Sequence, residues 1–83
     1  MIGTIMDKIE FLTNAILART NEIAMYQIEI DSISHIINSI GNDSTMQDYK
    51  THMEKMLIDN QKEQRKAELY KNALEAQLPN TQT

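Results

Sequence analysis

A chain of 83 residues with 12 acidic and 8 basic side chains, net charge −4, holds one domain at most and lacks the basic excess of a nucleic-acid binder. It contains no cysteine, which excludes disulfide staples, thiolate metal sites and thiol nucleophiles. Two glycines and one proline are too few turn-formers for a many-stranded β fold, so composition points to long helices.

Residues 1–40 carry eleven of the 12 isoleucines. With Ile2 as heptad position a, the a series is Ile2, Ile9, Ile16, Ile23, Ile30 and Ile37. The d series is Ile5, Leu12, Arg19, Tyr26, Ile33 and Ile40. Alternating spacings of three and four predict a helix over 2–40 that buries one stripe. Arg19 is the one charged member. A lone buried guanidinium is costly, so Arg19 is expected to snorkel to the surface or to mark a helix break, and Arg19→Leu is expected to stabilise. Thr20 or Asn21 offers a cap for a new helix, so a break near Arg19–Glu22 would make a three-helix bundle. A second apolar strip runs through Phe11, Ala15, Ala18 and Met25.

Gly41 is a natural helix stop, and Asp43 or Ser44 a natural start; Ser44 with Gln47 has capping-box spacing. The turn is placed at 41–44 and a second helix at 45–78. Its stripe opens with Met46, Tyr49, Met53 and Met56, with Leu57 alongside. It thins through Asn60 and Glu63 and recovers at Ala67, Tyr70 and Leu74. Lys50 with Glu54 and Lys71 with Glu75 have ion-pair spacing. Pro79 stops the helix, and 79–83 is expected to be a disordered tail. The fold class is therefore all-α: a single domain over 1–78, an antiparallel helical hairpin or coiled coil.

Such a hairpin leaves an imbalance. Near the turn, Met53 and Met56 face Ile30 and Ile33. Farther out, the apolar-free stretch 59–66 leaves the first helix under-covered. A soluble protein rarely leaves a large apolar stripe idle, so the surplus predicts a protein partner, either a client or another copy. The residues expected to bind it are Ile5, Ile9, Leu12, Ile16, Met53, Met56, Leu57, Tyr70 and Leu74.

Catalytic signatures are missing from the sequence. Gly3 and Gly41 stand alone, so there is no phosphate-cradling loop. Ser34 and Ser44 lack the surroundings of an activated nucleophile. Asp31 with His35 and Asp48 with His52 have helical spacing, but the first pair falls on the outer face, where water alone explains it. The expectation is no enzyme, no cofactor and no metal. No apolar run reaches the length of a membrane span, and the N-terminus lacks a signal-peptide pattern; cytoplasmic residence without membrane insertion is expected.

Thr45-Met46-Gln47-Asp48, Met53 and Leu57-Ile58-Asp59-Asn60 resemble the third-helix region of FliT-type flagellar export chaperones, including the Asp-Asn pair that precedes a polar helix. The first half is similar in pattern: an apolar helix through Ile9, Leu12 and Ile16-Leu17, a polar patch at Asn21-Glu22, then an isoleucine-rich helix. The family tends to have Trp where this chain has Ile23. The resemblance implies a small acidic helical type III export chaperone that holds a C-terminal helix of a client in an apolar groove. It also implies that the groove is open here, since the 83 residues leave no room for the family's fourth, regulatory helix. The alternative is a self-assembling structural coiled coil, such as a secretion-system or phage component. Ile at every a position and at three d positions favours trimers and tetramers.

Overall fold

Thr4 opens the first helix. Its Oγ1 accepts the Asp7 amide at 3.0 Å, and Asp7 Oδ2 accepts the Thr4 amide at 3.3 Å. Two of the amides that a helix start leaves unpaired are thereby satisfied. The Asp7 carboxylate also sits in the first turn, where the helix dipole favours it. Helix α1 then runs over Ile5–Ile40, 36 residues without interruption. The computed structural model describes residues 3–78; the helix start expected at Ile2 and the tail expected at 79–83 lie outside them.

The three-helix alternative is corrected by this continuity. Thr20 does not cap a new helix. Its Oγ1 donates to the Ile16 carbonyl at 3.1 Å, as Thr13 does to Ile9 at 2.8 Å. A hydroxyl turned back onto its own helix leaves the backbone bonding intact. Arg19 does not break the helix; it is exposed, as a side chain reaching for the surface would be, and its guanidinium also bonds across the hairpin to Asn60.

Gly41 ends α1 by donating its amide to the Ile37 carbonyl at 2.9 Å. Its φ of 112° and ψ of 173° lie in a region that only glycine enters readily. Asp43 then starts α2, Ser44–Glu75, by accepting the Met46 amide at 3.1 Å. Ser44 is already helical, so the Ser44–Gln47 capping box does not form, and Gln47 donates instead to Asn42 Oδ1 at 2.8 Å. The second helix ends at Glu75 rather than at residue 78. Gln77 and Leu78 bond to the carbonyls of Leu74 and Glu75, a tighter turn than the α-helix. Leu78 precedes Pro79, and that neighbour disfavours the helical conformation.

The two helices pack antiparallel into a rod with extents of 63 × 26 × 16 Å. Among the described residues there is no strand. The inner row of α1 is the expected heptad stripe, from Ile5 through Ile33 to Ile37, all half-buried or better except Arg19. Ile40, at the turn, is 80% exposed. In α2 the central row of Met46, Met53, Asn60, Ala67 and Leu74 also packs inward as expected. Its companion row differs. Lys50, Leu57, Gln64 and Lys71 are the half-buried partners, whereas Tyr49, Glu63 and Tyr70 are exposed. Gln64 accounts for this rotation, because its amide donates to the Ile16 carbonyl at 3.2 Å and to Thr20 Oγ1 at 2.7 Å. With Lys50 and Lys71 turned inward, the expected pairs to Glu54 and Glu75 are not made. The ion pairs among the described residues are Lys66–Glu63 at 2.9 Å and Arg65–Glu68 at 3.7 Å.

Candidate functional site

The rotation of α2 leaves one side of the hairpin open. On α1 this side carries a second heptad row, Lys8, Phe11, Ala15, Ala18, Glu22, Met25, Glu29 and Ser32. On α2 it carries Tyr49, Met56, Glu63 and Tyr70, each seven residues from the next. Heptad spacing keeps such a row on one side of a helix that follows its partner.

Two apolar grooves lie along it. The groove near the chain termini has a volume of about 410 Å³ and is lined by Phe11, Leu12, Tyr70, Ala73 and Leu74, with Lys8 and Gln77 at its edge. Phe11 is 57% and Tyr70 56% exposed, high values for aromatic side chains that face each other across two helices. The groove nearer the turn has a volume of about 370 Å³ and is lined by Ile28, Ile33, Met46, Tyr49 and Met53, with Glu29 and Ser32. Phe11 is separated from Ser32, and Tyr70 from Tyr49, by three whole heptads, so both grooves open to the same side.

A polar node separates them. Arg19 Nη1 donates to Asn60 Oδ1 at 2.8 Å, and Asn60 Nδ2 donates to the Met56 carbonyl at 2.8 Å. Glu63 sits beside it, its carboxyl held below the ordinary range by the hydrogen bond from Lys66, then by the charges of Lys66 and Arg19. Lys66 is held above its ordinary value by the same hydrogen bond and the Glu63 charge. Every buried side-chain polar atom among the described residues has a hydrogen-bond partner.

The expected partner-binding residues divide between seam and grooves. Leu12, Tyr70 and Leu74 come together in the first groove, and Met53 lines the second. Ile9 is one of two buried apolar residues among those described, with Ala67, and lies inside the hairpin rather than at its surface. Ile5, Ile16, Met56 and Leu57 are half-buried along the seam, and Ile16 also supplies the carbonyl that Gln64 uses. Phe11 and Tyr49 complete the grooves without having been among the expected residues. The strip of Phe11, Ala15, Ala18 and Met25 was the signal for the first; nothing in the apolar spacing separated Tyr49 from the core row.

Asp31, His35, Asp48 and His52 are exposed, and among the described residues no three His or carboxylate side chains converge as metal ligands would. No described helix is long and apolar enough to cross a membrane. No protein-family model, curated protein or solved structure matches the chain.

Proposed function

We propose that this protein is a non-enzymatic, cytoplasmic protein-binding module that seats an amphipathic helix on the open side of its hairpin. The observation that carries this reading is the groove formed by Phe11, Leu12, Tyr70 and Leu74, where two half-exposed aromatic rings flank aliphatic side chains. A helix laid in a groove buries anchors at i, i+3, i+4 and i+7, and two grooves on one side of a 63 Å rod match a long helical partner. The reading suits the resemblance to FliT-type flagellar export chaperones, whose clients present C-terminal helices. It also accounts for the isoleucine stripe differently from the structural coiled-coil alternative. Of the a-position isoleucines that favoured trimers and tetramers, Ile9, Ile16, Ile23, Ile30 and Ile37 are buried or half-buried within the hairpin.

The test uses a fluorescein-labelled synthetic helix with leucine at i, i+3, i+4 and i+7 and glutamine and lysine elsewhere. Its anisotropy should rise on titration with the wild-type chain. Phe11→Ser/Tyr70→Ser should weaken binding about 10-fold or more while retaining the helical spectrum, as loss of interface anchors does. Equal binding by both proteins would remove the open side as the site.

A further inference from the structure

We infer that the open side is covered, in the absence of a client, by a second copy of this chain, packed face to face so that the terminal groove of each copy lies on the turn-end groove of the other. The inference rests on the proposed helix-seating role of that side and names its occupant.

Charge is the first argument. The terminal groove has one charged residue at its edge, Lys8, and the turn-end groove has one, Glu29. A two-fold axis lying in the interface, across the hairpin at mid-length, exchanges the two grooves. It brings Lys8 of each copy towards Glu29 of the other, twice over. A symmetric contact is made by one patch meeting itself, so its charges must be self-complementary, as Lys8 and Glu29 are at the two grooves.

Area is the second argument. A side of 63 × 26 Å is larger than the roughly 800 Å² per partner that a standard stable interface buries. The chain also needs the cover. It exposes 6323 Å², where a compact monomer of 9.6 kDa exposes about 5,100 Å². Only Ile9 and Ala67 are buried apolar residues among those described. Two hairpins so joined form a four-helix bundle, whose central layer encloses Phe11, Met25, Tyr49 and Tyr70.

Sedimentation velocity on the full chain from about 1 to 200 µM should show a monomer–dimer equilibrium. Lys8→Glu and Glu29→Lys should each weaken the dimer by roughly 10-fold, because each places like charges together at both ends. An equimolar mixture of the two variants should restore dimerisation, since each then supplies the charge the other lacks. Loss of the helical spectrum in one variant would not mimic that rescue. A dimer indifferent to both variants would overturn the proposed packing. A chain that stays monomeric at 200 µM yet binds the labelled helix would overturn the second copy and leave the helix-seating role standing. A monomer that does not bind the labelled helix would overturn both.

Discussion

Arg19 and Asn60, 41 residues apart in the chain, are joined by a 2.8 Å hydrogen bond at the middle of the hairpin. Asn60 is only 5% exposed, the most buried side chain described. Its carbonyl oxygen accepts a hydrogen bond from the guanidinium, and its amide donates to the Met56 carbonyl. The arginine that breaks the apolar stripe of α1 is thus the partner of the asparagine that breaks the stripe of α2. Paired polar positions of this kind fix the register of coiled coils.

Arg19→Leu should therefore destabilise the protein, against the expectation drawn from the stripe alone. It leaves Asn60 Oδ1 buried without its donor, at a cost of about 1–3 kcal/mol. For a domain of this size each kcal/mol lowers the melting midpoint by about 4–8 °C. Arg19→Leu/Asn60→Leu should recover part of the loss, because replacing both partners by apolar groups removes the unmet bond. A midpoint raised by the single substitution would show that the bond contributes nothing to the hairpin.

Gly41→Ala tests the turn. A methyl group there meets no atom within 4 Å, so any loss of stability comes from the backbone. With φ at 112° and ψ at 173°, an L-residue is strained by about 1–3 kcal/mol. A synthetic chain with D-alanine at position 41 enters this region freely and should melt no lower than wild type. Equal loss in both chains would trace the effect to something other than φ.

The architecture was legible because α1 announces its buried face with an almost unbroken isoleucine stripe, and because Gly41 and Asp43 stop and start helices by local chemistry. The rotation of α2 was not legible. Its central row of Met46, Met53, Asn60, Ala67 and Leu74 is flanked by two candidate rows, and the one through Tyr49, Met56 and Tyr70 is the more apolar. The inward row is the one through Gln64, which bonds to the backbone and side chain of α1. Apolar periodicity carries no information about a bond that needs both helices in place. The same blindness hid the continuity at Arg19–Glu22, where a charge and two capping residues imitate a helix boundary. The open side, which the rotation creates, could be anticipated only as a surplus of apolar surface.

The Glu63–Lys66 pair fixes a pH signature on that open side. The Glu63 carboxyl is held low by the Lys66 hydrogen bond. Its folded value lies below its unfolded one. Its contribution to stability is therefore full above the ordinary carboxylate range, about 4.3, and is lost as pH falls through the lowered value. Carbon-detected NMR titration of the Glu63 side chain should give an inflection below that range. Lys66→Gln should return it to the ordinary position. An ordinary inflection in the wild type would mean the pair does not form in solution.

Ile9 and Phe11 are two residues apart and point to different fates. Ile9 is buried in the seam, whereas Phe11 is 57% exposed at the open side. Ile9→Ala should cost about 2–5 kcal/mol, as truncation of a packed side chain does, and should abolish most of the helical signal in a hairpin with so small a core. Phe11→Ser removes a ring that the lone hairpin leaves mostly in water. Its melting midpoint should equal that of wild type at about 1 µM and fall below it at about 200 µM, where a second copy adds stability by mass action. Circular dichroism melts of the two variants at both concentrations make the comparison. If Phe11→Ser lowers the midpoint equally at both concentrations, the phenyl ring belongs to the fold of the single chain and not to a surface kept for a partner.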